Sequence, residues 1–168
     1  SSSDRALIVL DMTVEQVSAV PAARDLLRFI RGELRYFRER GRPIYFAASR
    51  GVDRPTPLPE LLPRAGEKML WKPAPSAFFR TNLDELLPRD VRRLTLVGLE
   101  THTSVLLTAA DAYARGYQVV APEPCVVARD PSDHAFAMRL LRDVWQPALR
   151  DMDNSSTAPL QGGSPLAV

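Results

Sequence analysis

The sequence predicts an α/β protein: a mostly parallel open sheet with helices packed on both faces. Three observations carry that expectation. Residues 6–10, ALIVL, form an unbroken apolar run suited to a central parallel strand buried on both sides. Residues 21–40 place Leu26, Leu27, Ile30, Leu34 and Phe37 at helical spacing, with arginines on the other face, before a second apolar run. The stretch Leu94 to Gly116 then passes directly from an apolar strand, through a polar turn, into a run of helix formers.

Composition bounds the answer. The 168 residues suffice for one domain with a full core, and 45% hydrophobic with 25% charged residues is ordinary for a globular protein. The net charge of +2 arises from dispersed arginines without a Lys/Arg block, so charge gives no support for nucleic-acid or membrane-surface binding. A single cysteine, Cys125, rules out an internal disulfide and fits a reducing compartment. No apolar stretch reaches about 18 residues, and the opening SSSDR lacks the features of a leader. Two histidines and one cysteine, far apart, cannot build a conventional zinc site. The expectation is a soluble, cytoplasmic protein with no cofactor, acting on a small molecule. Residues 1–150 read as one domain, and the Ser/Pro/Gly-rich tail 151–168 reads as flexible.

The elements follow in order. The first strand ends in Asp11, where a carboxylate is either functional or a cap for the following loop. The helix from Pro21 stops at Gly41, and Ile44 to Ala48 is the second strand. Arg50 to Pro63 is a proline-rich loop, long enough to be functional. Lys68 to Trp71 is a short strand with Lys72 at its end; taken alone, such a lysine reads as solvated surface rather than as a site residue. Thr81 or Asn82 caps a short helix through Leu87. Tyr117 to Ala121 is another strand, and a helix runs from about Ser132, as N-cap, to Trp145, with His134 facing solvent and Phe136, Leu140, Leu141 and Val144 as its apolar stripe.

In the central stretch, Leu94, Leu96 and Val97 form the strand, Gly98 frees the backbone for a turn, and a helix begins at Val105 and closes at Gly116. Thr101-His102-Thr103-Ser104 lies between them. Hydroxyl residues are ordinary helix caps. Yet this turn falls at the carboxyl edge of the sheet, where open α/β folds bind ligands, and helix-start N–H groups suit a developing oxyanion. Asp11, Lys72 and this turn place an acid, an amine and a hydroxyl along one edge.

With these residues in hand, the chain resembles the isochorismatase-like hydrolase superfamily of nicotinamidases, N-carbamoyl amide hydrolases and isochorismatases, over residues 5 to about 145. ALIVLDM resembles the first strand with its aspartate. K-x-x-x-S-A-F at Lys72 to Phe78, continued by Phe79, Thr81 and Leu83, resembles the lysine segment. G-x-x-T-x-x-S-V-x-x-T-A-x-D-A at Gly98 to Ala112 resembles the nucleophile segment, with Ser104 where the amidase branch has cysteine. The resemblance implies a three-layer, Rossmann-like fold, Asp11, Lys72 and Ser104 as catalytic residues, and a cis peptide bond between Leu99 and Glu100. It further implies Leu99, Glu100, Thr101, His102 and Thr103 around the substrate or oxyanion, with Phe78 nearby, and a homodimer or tetramer. Arg50, with Arg54 and Arg64, is offered by the 50–68 loop as a partner for a substrate carboxylate, without a clear match to the family. Nicotinamidases carry a metal site of one Asp and two His after the second strand; here the region holds Asp53 and no histidine, so no metal is expected. The family's last strand should follow the final helix, but Gln146-Pro147-Ala148 is a poor strand, which implies a shortened sheet edge.

Ser104 leaves the reaction open. An alkoxide forms far less readily than a thiolate, whose parent pKa is about 8.5. One reading is C–N hydrolysis of an amide or carbamoyl group by Ser104. Another is the isochorismatase-type reaction, in which the aspartate protonates a vinyl ether and no nucleophilic side chain is needed; Thr101-His102 echoes that branch, while Ala48 stands where its glutamine is expected. A Cys-to-Ser trapped variant of a cysteine amidohydrolase is a third. A non-catalytic ligand-binding or scaffold member is a fourth, opposed by the presence of both Asp11 and Lys72.

Overall fold

The structure, a computed structural model, describes residues 4–51 and 53–145. Its strands are β1 (Arg5–Leu10), β2 (Ile44–Ser49), β3 (Lys68–Lys72), β4 (Arg93–Leu99), β5 (Gln118–Val120) and β6 (Val126–Val127). The helices are α1 (Val14–Ala19), α2 (Leu27–Glu39), α3 (Leu83–Leu86), α4 (Leu106–Ala114) and α5 (Pro131–Leu140).

Every strand pairing is parallel, in the spatial order β3-β2-β1-β4-β5, with β6 beside the end of β4. Side chains alternate along β1, so the two faces bury different sets. Ala6, Ile8 and Leu10 join Val105, Ala109 and Ala112 of the α4 side and Met138 of α5. Leu7 and Val9 join Ile30, Leu34 and Phe37 of α2. The apolar stripe of α2 is therefore the cover of one face, and burying each such side chain stabilises the fold by about 1.5–3 kcal/mol.

Chain direction across the sheet reverses between β1 and β4, the switch point where such sheets open a crevice at their carboxyl ends. Gly98 does not make the turn; it lies inside β4 opposite Leu10, at φ 119°. A Cβ there would sit 2.0 Å from the Leu10 carbonyl oxygen, so only glycine lets β1 and β4 approach this closely.

Several expected boundaries move. A 3-10 turn, Pro21–Leu26, precedes α2 in place of one continuous helix, a common way for a helix to begin. The short α1 is additional; Thr13 caps it, its hydroxyl accepting the Gln16 N–H at 3.3 Å. A π-helical turn, Thr101–Val105, precedes α4. The N-cap of α5 is Asp130, whose carboxylate accepts the Ser132 N–H at 2.8 Å, because Pro131 takes the first helical position that Pro suits best. Phe136 is half exposed rather than part of the buried stripe, which falls to Ala137, Met138 and Leu141. The expected tail and the 146–148 segment lie outside the described residues.

Candidate active site

Four neighbouring strands each bring one polar residue to the carboxyl edge. In sheet order, β3 ends in Lys72, β2 ends in Ser49, β1 runs into Asp11, and β4 runs through the cis Leu99–Glu100 bond into the turn holding Ser104. Asp11 has φ 53°, a left-handed conformation that short Asp side chains tolerate. Its N–H still donates to the Ala47 carbonyl at 2.9 Å, so the ladder holds while the chain turns.

The side chains converge. Lys72 Nζ donates to Asp11 Oδ2 at 2.7 Å, to Ser104 Oγ at 2.9 Å and to Ser49 Oγ at 3.0 Å. Ser104 Oγ donates to Asp11 Oδ2 at 2.6 Å, and the Ser49 N–H donates to Asp11 Oδ1 at 2.7 Å. Asp11, Lys72 and Ser104 are 4%, 1% and 4% exposed, too buried to be read as solvated surface residues. Three acceptors match the three N–H donors of an ammonium. Burial pushes the Lys72 pKa below the ordinary lysine value, and the Asp11 carboxylate opposes that shift by charge and hydrogen bond.

The cluster floors a cleft of about 310 Å³ lined also by Gln16, Arg50, Pro73, Pro75, Glu100 and Thr103. Behind it, Ser76 Oγ donates to Asp111 Oδ2 at 2.5 Å and the Ala77 N–H donates to Thr108 Oγ1 at 3.0 Å. These bonds tie the chain after Lys72 to α4, the helix that follows Ser104.

The remaining candidates divide. Arg50, Glu100 and Thr103 line the cleft. The Glu100 carbonyl accepts the Thr103 and Val105 N–H groups at 3.2 Å each, and its carboxylate accepts the Arg129 N–H at 2.8 Å. Leu99 and Thr101 are fully buried. Thr101 Oγ1 lies 2.7 Å from His134 Nδ1, so His134 packs onto the turn rather than facing solvent. His102 Nε2 stands 3.6 Å from an Asp133 oxygen on α5. Phe78 is buried against Tyr117, with ring centroids 6.1 Å apart, and under the Arg115 guanidinium. Thr101, His102 and Phe78, expected around the substrate, thus turn their side chains to His134, to Asp133, and to Tyr117 and Arg115, and none of the three lines the cleft.

Sequence reasoning missed Ser49, Gln16 and the Pro73–Pro75 wall. For Ser49 a signal existed, a hydroxyl directly after the apolar run Ile44–Ala48. Cys125 is buried, and desolvation together with the nearby Glu33 carboxylate raises its thiol to about 12, which disqualifies it as a nucleophile. Among the described residues, no group of three His, Cys, Asp or Glu is placed to hold a metal ion.

Known proteins share this architecture. A profile of the isochorismatase domain matches residues 5–150. A Bacillus subtilis protein described as an uncharacterized isochorismatase family protein, YaaI, is 34% identical over 86 residues, 51% of this chain and 48% of that protein, so the match spans about half the length of that relative. The crystal structure of N-carbamoylsarcosine amidase from Thermoplasma acidophilum superposes with TM-score 0.74 at 30% identity, covering 82% of this chain and 92% of the amidase. An isochorismatase from Pseudomonas putida KT2440 gives TM-score 0.79 at 25% identity, covering 84% and 85%. With the parallel sheet, its switch-point crevice and a profile match over most of its length, the chain belongs to the isochorismatase family of α/β hydrolases.

Proposed function

We propose that the protein hydrolyses a C–N bond of a small amide or carbamoyl compound, with Ser104 as nucleophile, Asp11 as base and Lys72 as electrostatic partner. The observation that carries this reading is the 2.6 Å hydrogen bond from the Ser104 hydroxyl to Asp11. Every donor aimed at Asp11 suits a carboxylate that takes a proton rather than a carboxylic acid that gives one. Vinyl-ether hydrolysis needs the reverse. The 30% identity to an N-carbamoylsarcosine amidase supports the same choice.

In the proposed reaction Asp11 takes the hydroxyl proton as Ser104 Oγ bonds to the substrate carbonyl carbon. Charge gathers on the former carbonyl oxygen, beside the backbone of the 100–104 turn. The C–N bond then breaks, Asp11 returns its proton to the leaving nitrogen, and water cleaves the acyl-serine by the same route. Lys72 keeps its proton throughout and opposes the negative charge that moves between Asp11 and Ser104.

A panel of small amides and N-carbamoyl amino acids, assayed for ammonia release, tests the reading. Activity should fall at least roughly a thousandfold in Ser104→Ala, the scale seen when a nucleophile is deleted. Pyruvate release from isochorismate that survives Ser104→Ala would instead assign the vinyl-ether reaction.

A further inference from the structure

Ser49 is absent from the motifs that define the site, yet it occupies the central position in it. In the sheet, β2 separates β3 from β1, so the Lys72 side chain must pass over the end of β2 to reach Asp11. Ser49 is the residue it passes, paired in register with Lys72 itself. Its N–H holds Asp11 Oδ1 at 2.7 Å and its Oγ accepts from Lys72 Nζ at 3.0 Å. One residue therefore grips both members of the acid–amine pair, through backbone on one side and hydroxyl on the other.

We propose that Ser49 is a positioning residue that holds Lys72 as an ammonium aimed at Asp11 and Ser104, by supplying the third acceptor of its amine and a side chain small enough to let the amine cross. The other two acceptors belong to the reacting groups. When Asp11 takes the Ser104 proton, the bonding of Oδ2 and Oγ changes, and Ser49 Oγ is the one acceptor that the reaction leaves unchanged. The role rests on the reading of the site as an Asp–Lys–Ser centre, but its test does not require a substrate.

The chain contains two lysines, Lys68 and Lys72, so lysine-selective isotope labelling yields two side-chain NMR signals. Lys68 is exposed and serves as the internal reference. In Ser49→Ala, Lys72 should bind its proton about three- to tenfold more weakly than in the wild type, the worth of one hydrogen bond, while Lys68 is unmoved. Ser49→Thr, which keeps the hydroxyl, should restore the wild-type midpoint. On whichever substrate the amide panel identifies, Ser49→Ala should lower kcat with little change in KM. A Lys72 midpoint equal in wild type and Ser49→Ala would overturn the proposal and leave Ser49 a spacer. A shifted midpoint that Ser49→Thr fails to restore would equally overturn the hydroxyl's part. Failure of every amide to turn over, with the shift and its rescue intact, would discard the proposed reaction and keep the positioning role.

Discussion

Lys72 can stay charged inside the protein only while the groups around it stay negative or accepting. Asp11→Asn isolates that dependence, because Asn accepts the left-handed backbone and keeps the shape while removing the charge. We expect the variant to lose turnover and about 3–5 kcal/mol of stability, measured by urea unfolding, the usual cost of leaving a buried ion without its partner. Asp11→Asn/Lys72→Met should regain much of that loss with activity still absent. A single variant as stable as the wild type would mean the pair contributes nothing to the fold. At this scale the sequence was informative where a residue type is chemically out of place. Asp11 ending an apolar run could be seen in this way, whereas Ser104, of a type ordinary at a helix start, stood out only through the motif around it. Ser49 could not be assigned, since its meaning depends on which strand lies between which.

Among the elements, β4 carries the tightest constraint. Gly98→Ala would put a methyl group against the Leu10 backbone, and no side-chain rotation relieves a backbone clash. The strand would have to separate from β1 where both lead into the site, so we expect a loss of about 3 kcal/mol or more, read from thermal unfolding, and a large drop in activity. Unchanged stability would show that the sheet edge yields freely. The elements themselves were legible wherever the hydrophobic period was long, as in β1, α2 and β4. Short ones escaped: α1 announces itself only by Thr13-x-x-Gln16, a capping-box pattern, and β6 is two residues long. His134 was misplaced because its neighbour comes from the turn at Thr101, 33 positions earlier.

Across the whole molecule, the two apolar layers on either face of the sheet were readable from composition and period, but the strand order was not. No local rule states that β4 returns to lie beside β1. Among the described residues no helix is long and apolar enough to cross a membrane. That strand order also has a kinetic side. Asp11 meets Ser49 across 38 positions, Lys72 across 61 and Ser104 across 93, so no pair in the cluster can form from a local segment. Closing such loops is entropically slow compared with winding a helix. During refolding, helical circular dichroism should therefore recover before Lys72 becomes shielded from a pulse of amine-reactive reagent, with Lys68 labelled throughout. Simultaneous recovery would mean that the four strands assemble as fast as their helices. The predicted delay would make the centre of the site a clock for the last long-range step of folding.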